Sequence, residues 1–154
     1  MSLTLEQQAC NFETMRHIEK VRNYINSVIK NLLNRAEKHD QSKLESPEVE
    51  VFTEYTPQLQ NLTFGQTDYA ECKKKMASAL EHHYARNRHH PEHHKNGVND
   101  MTLLDLIEML VDCKSSSERQ NNGNLFKSME SLGNHFGMNS QLIKIMENTA
   151  KELF

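Results

Sequence analysis

Apolar residues near the start of the chain recur at steps of three and four. Met15, Ile18, Val21, Ile25, Val28, Ile29, Leu32, Leu33 and Ala36 mark one stripe of a helix ending at His39-Asp40. Ser46-Pro47-Glu48 offers a cap residue, a proline at the first helical position and an early acid, predicting a short helix over about 47–55. Pro57 and Gly65 bracket a loop after it. Thr67 or Asp68 caps a helix running through Tyr69, Cys72, Met76, Ala79, Leu80 and Tyr84, with His82 and His83 in its last turn. Residues 86–97 read mostly as loop, because Pro91 disfavours helix at His90. Thr102 opens a strongly apolar helix from Leu103 to Val111, continuing to Lys114, and Asn121, Asn122 and Gly123 break the chain. Amphipathic helices over about 125–136 and 140–153 follow, with Gly137 as a left-handed stop between them.

No stretch alternates with period two, and only five glycines and three prolines interrupt 154 residues, so the fold class is all-α. The length suits one core, and a compact single-domain helical bundle is expected over residues 1–154. Charged residues make up 25% of the chain and the formal net charge is −3, so no basic excess supports nucleic acid as the main partner. No run of about 18 apolar residues and no signal-peptide pattern appears, which predicts a cytoplasmic protein without a membrane partner. Cys10, Cys72 and Cys113 form no CxxC pair and read as reduced thiols used in packing. The mean hydropathy of −0.77 is low for such a protein and calls for a polar surface or a polar interior site.

The histidines change the picture. Six of nine fall between His82 and His94, in His82-His83-Tyr84-Ala85-Arg86-Asn87-Arg88-His89-His90-Pro91-Glu92-His93-His94. Converging neutral imidazoles bind divalent metals readily. His39-Asp40-Gln41-Ser42-Lys43 adds an imidazole, a carboxylate and an ammonium, although a His-Asp pair alone is ordinary at a helix end. Asp105, Glu108 and Asp112 share one stripe of an otherwise apolar helix; an acidic stripe normally faces solvent, but an apolar arc this wide asks that Asp112 find a cation or donors. His17 precedes His39 by twenty-two residues. On one straight helix that is about 33 Å, so His17 reaches a common ion only if the chain reverses near Asn26-Ser27.

In order, these elements are a histidine, His-Asp with a lysine three residues on, a His-His pair and a later aspartate. The arrangement resembles the HD-domain metal-dependent phosphohydrolases, with Ser42 where members reading His-Asp-x-Gly-Lys have glycine. It is still more similar to a little-characterised, often phage-encoded HD-like family with HDxSK, HHxxRNxHHPEH and EMxxDW elements, here His39 to Lys43, His82 to His93 and Glu108 to Cys113. Cys113 stands where that family has tryptophan. The likeness runs from about His17 to Arg119, ahead of the C-terminal helices.

The resemblance implies a metal held by His17, His39, Asp40 and Asp112, and a second site supplied by His82 and His83 with Asp40 bridging. One or two divalent ions per chain are implied, and the ligand mix suits Mn, Fe, Co, Ni, Zn or Mg without choosing among them. The implied activity is hydrolysis of a phosphate ester or anhydride of a small phosphorylated substrate, a nucleotide, with phosphomonoesters favoured over phosphodiesters. Asp40, Lys43 and His90 are the catalytic candidates. Lys43, Arg86, Asn87, His89 and His90 would contact substrate, and Glu108 would orient a ligand histidine. The alternative is a non-catalytic histidine-rich metal-binding or interaction module. A homodimer through Leu142, Ile145 and Met146 is open, although such a stripe ordinarily packs on its own core.

Overall fold

The structure, a computed structural model, describes residues 3–59, 67–119 and 123–154. Every regular element among them is helical, as the missing period-two alternation requires. By internal contacts the chain divides into two units, residues 1–38 and 39–154.

The first unit is α1, Leu5–Lys38, one continuous helix of 34 residues with Arg35 and Lys38 in its last turn, where cations favour the helix dipole. The reversal required near Asn26-Ser27 does not form. Ser27 donates its hydroxyl to the Asn23 carbonyl (3.1 Å), and the Asn31 side-chain amide reaches back to the Ser27 carbonyl (2.9 Å), so these polar residues back-bond within the helix instead of breaking it. Along an unbroken helix His17 and Lys38 are about 32 Å apart. The condition on which His17 was assigned to the metal is therefore not met.

The second unit begins with a 3-10 turn, Gln41–Leu44, and α2, Glu48–Leu59. The loop expected from Pro57 starts later, because α2 carries that proline in its last turn, and the rest of that loop, with Gly65, lies outside the described residues. The single helix expected over residues 67–84 is two: α3, Thr67–Lys75, and α4, Ala77–Arg86. They meet at Met76, whose backbone (φ −89°, ψ 2°) leaves the helical region while its side chain, 1% exposed, packs into the interior. Burial of that side chain prevails over helix continuity. Of the break expected at Asn121-Asn122-Gly123, the two asparagines lie outside the described residues.

Helices α5, Leu103–Glu118, α6, Leu125–His135, and α7, Ser140–Leu153, follow. Thr102 and Asp105 form a capping box at the start of α5; Asn124 and Asn139 accept the Lys127 and Leu142 amides at the starts of α6 and α7. Gly137, at φ 62°, allows the turn between α6 and α7. Gly133 lets the same two helices approach, since a Cβ there would lie 2.5 Å from Ile143 Cδ1. Met109, Leu110, Leu125, Met129, Met146 and Ala150 form the core they enclose, and Cys113 and Leu142 pack against it. Of the stripe considered for dimerisation, Met146 is thus buried in this chain's own core while Ile145 remains 52% exposed.

Asp105 is not on a solvated stripe. It is fully buried, accepting from the Thr102 amide and hydroxyl and from Arg88. It ties the histidine loop to the start of α5.

Removing a buried side chain forfeits its transfer free energy and leaves a cavity. Leu110→Ala, at a 2% exposed position, is expected to lower stability by about 2–5 kcal/mol. Ile145→Ala should change it by less than about 1 kcal/mol. Urea denaturation of both variants checks the contrast.

Candidate metal centre

Local backbone chemistry assembles the site. After α1, Asp40 adopts a left-handed conformation (φ 55°, ψ 14°), which aspartate tolerates better than most residues. The 3-10 turn that follows, closed by the Lys43 amide on the Asp40 carbonyl (2.9 Å), brings Lys43 back over Asp40. Its ammonium donates to Asp40 Oδ2 at 2.6 Å. At the end of α4 the buried Asn87 donates its side-chain amide to the His83 carbonyl (2.8 Å) and to Ser42 Oγ (2.9 Å). The chain then turns, with the His90 amide on the Asn87 carbonyl, and Pro91 starts a 3-10 turn, Pro91–His93. This reversal returns His89 and His90 to His83. On α5, Glu108 and Asp112 lie one helical turn apart and face the same histidines.

Four imidazoles therefore cluster, with ring centroids 4.5 Å apart for His39 and His89, 4.1 Å for His89 and His90, and 4.8 Å for His83 and His90. The Nε2 atoms of His39, His83 and His89 surround Asp40. His83 Nε2 lies 3.3 Å and His89 Nε2 3.6 Å from Asp40 Oδ1, and His39 Nε2 lies 3.6 Å from Oδ2. Asp112 stands 3.8 Å from His39 Nε2 and 3.9 Å from His89 Nε2.

Two carboxylates hold these rings from behind. Glu48, fully buried at the start of α2, accepts from His82 Nδ1 (2.7 Å), His83 Nδ1 (2.9 Å) and Ser42 Oγ (3.0 Å). Glu108 Oε1 accepts from His39 Nδ1 (3.0 Å). The same oxygen is 3.2 Å from His89 Nδ1, but not aligned for a hydrogen bond. An Nδ1 proton assigned to each carboxylate leaves Nε2 as the lone-pair atom of neutral His39 and His83, the tautomer that binds a cation.

The charges shift accordingly. Asp112 and Glu108 beside His39 outweigh its burial and raise it to about 10. Burial, with His89 and His83 nearby, pushes His90 down to about 3. Burial likewise lowers His83, joined by the Lys43 charge. For Asp112 burial acts upward, but the His39 contact and the positive fields of His89 and Lys43 prevail, bringing it down to about 2. Asp40 also falls below its ordinary range, the Lys43 ammonium overcoming the opposing effect of burial.

Among the described residues, three groups bring ligand atoms within 4.8 Å of one another: Asp40, His83, His89 and His90; His39, His89 and Glu108; and His39, Asp40 and Asp112. The donor set fits a divalent cation on a specific observation. Asp40 Oδ1 and both ring nitrogens of His89 are buried without a hydrogen-bond partner among the described residues, a costly arrangement that a cation relieves.

The expected residues are not all used as expected. His39, Asp40, His83 and Asp112 converge. His82 turns to Glu48 and joins none of the three groups. His89 and His90, expected at the substrate, lie among the ligand candidates, and a neutral His90 is poorly suited to deliver a proton near pH 7. Asn87 spends its amide on Ser42 and His83, and Arg86 is exposed at the end of α4 outside the three groups. His93 and His94 bond the Tyr84 and Arg88 carbonyls. Glu48 went unrecognised as a site residue, and Ser42 stood out only as a motif position, without its bonds to Glu48 and Asn87. The only sequence signal for Glu48 was an early acid in a helix, which usually means a dipole contact.

A raised His39 holds a proton at pH 7 that an incoming cation must expel. Manganese affinity should therefore rise as the pH is taken from 6 to 9, with proton release seen by calorimetry in buffers of different ionisation enthalpy. Glu48→Gln should weaken manganese binding about 10- to 100-fold, measured by the same titration, because an amide oxygen is a poorer acceptor for two imidazoles.

Among the described residues no helix is long and apolar enough to cross a membrane. Neither a curated protein nor a solved structure matches the chain. A family match does extend over residues 6–152, spanning every residue of the cluster, and by it the chain belongs to the family of unknown function DUF5662.

Proposed function

We propose that this protein is a metal-dependent phosphohydrolase that cleaves a phosphate ester or anhydride of a nucleotide, phosphomonoesters before phosphodiesters. The observation that carries this reading is the position of Asp40. Its two oxygens face different ligand groups, Oδ1 toward His83 and His89 and Oδ2 toward His39, so one carboxylate is shared between two candidate cation sites.

His39, Asp40 and Asp112 would hold one divalent ion, and Asp40, His83, His89 and His90 a second. Bound there, such ions lower the pKa of water and draw charge from phosphoryl oxygens. The chain's own groups do the rest. Lys43, with its ammonium on Asp40, is placed to contact a phosphoryl oxygen and to offset charge gathering there. Glu48 and Glu108 keep the imidazoles oriented, so little reorganisation is required when the site is loaded. His83 and His89 are each 1% exposed, and this exclusion of water strengthens every charge contact they make.

Phosphate release from a panel of nucleotides, with manganese, cobalt, nickel, zinc or magnesium added, tests the proposal. Asp40→Asn, shown to remain folded by circular dichroism, should lose at least about 100-fold in kcat/KM. Lys43→Ala should lose about 10- to 1,000-fold. Equal inertness of wild type and Asp40→Asn with every ion would leave a metal-binding module without catalysis.

A further inference from the structure

A cavity of about 370 Å³ opens beside the cluster. His89, His90 and Asp112 line it, so it begins where the ligand candidates end and continues along α5 and α6. His89 belongs to its wall, 1% exposed and without a hydrogen-bond partner for either ring nitrogen among the described residues, so the cavity borders directly on the open ligand atoms.

The remaining wall is of three kinds. Tyr84 and Phe136 offer ring faces. Hydroxyls of Ser116 and Ser128 supply donors and acceptors, and Glu92 adds an acceptor. Lys73 and Lys127 bring ammonium groups, and neither forms an ion pair with a carboxylate among the described residues. Lys73 Nζ lies 5.8 Å over the Tyr84 ring, whose centroid is 4.9 Å from that of His90. One wall thus runs from the metal cluster across an aromatic ring to a cation.

We infer that this cavity seats the leaving group: a ring-bearing, hydroxylated alcohol of nucleoside size that carries a second phosphate, held by Lys73 and Lys127. The volume lies in the range of small-molecule pockets. Ring faces stack the base, serine hydroxyls pair with sugar hydroxyls, and the ammonium groups meet the remote phosphate. The inference rests on the phosphohydrolase reading. In the reaction a P–O bond forms to water, the P–O bond to the alcohol breaks, and a proton from water ends on the alcohol oxygen.

The probes are adenosine 3′,5′-bisphosphate as substrate and adenosine 3′-monophosphate as the leaving group alone, whose binding calorimetry reads without catalysis. Ser128→Trp, which fills the cavity, should weaken 3′-monophosphate binding at least 10-fold, and kcat/KM for the bisphosphate should fall in parallel. Lys127→Ala, an exposed position whose loss leaves the fold intact, should weaken the 3′-monophosphate about 10-fold and unphosphorylated adenosine less than 2-fold. No binding of the 3′-monophosphate by wild type, or equal binding by wild type and both variants, overturns the inference even if bisphosphate turnover persists. Binding that both variants weaken, without phosphate release from the bisphosphate, overturns the leaving-group role together with the catalytic reading and leaves a nucleotide-binding site.

Discussion

Two carboxylates, the fully buried Glu48 and the partly buried Glu108, set the chemistry of the centre. Glu48 accepts from Nδ1 of His83 and Glu108 from Nδ1 of His39, and both of these imidazoles point Nε2 inward at Asp40. An ionised carboxylate taken from water costs several kcal/mol unless it is fully bonded. Glu48 meets that demand with two histidines and a serine, none of which is adjacent to it in sequence. The same bonds that make its burial tolerable decide the tautomer of His83, so stability of the carboxylate and competence of the imidazole arise from one interaction.

What those two groups leave unsatisfied points to function. Asp40 Oδ1 and the His89 nitrogens have no hydrogen-bond partner among the described residues, whereas the fully buried Asp105 is bonded by Thr102 and Arg88. The contrast separates a carboxylate satisfied by the fold from one left open toward the histidines. Lys43 completes the contrast: its ammonium lowers the Asp40 pKa and keeps that carboxylate ionised with a free lone pair toward the histidines.

The cluster also explains a local departure from helix periodicity. Asn87 leaves the helical region to bond back to His83 and across to Ser42, and Pro91 begins the next turn at once. Between them three residues reverse direction, which is how His83 and His90, seven residues apart, come to face each other with Nε2 atoms 2.9 Å apart. A continuing helix would have carried His90 about 10 Å along its axis from His83.

Much of this was legible in local pattern. Stripes at steps of three and four, the capping box at Thr102 and the left-handed Gly137 depend on neighbours within a few residues, so the all-α class and most helix positions followed from the chain alone. His39-Asp40, the His83 to His90 loop and Asp112 stood out by residue type. Whether α1 reverses near Asn26 was not legible, because the serine and asparagine side chains there satisfy a turn or back-bond a helix equally well. Nor was the division of labour among the histidines: His82 and His83 are neighbours on α4, yet one turns only to Glu48 while the other also reaches Asp40. That choice, like the burial of Glu48, is made by which side chains arrive from distant segments, a matter of packing in three dimensions to which spacing along the chain is blind.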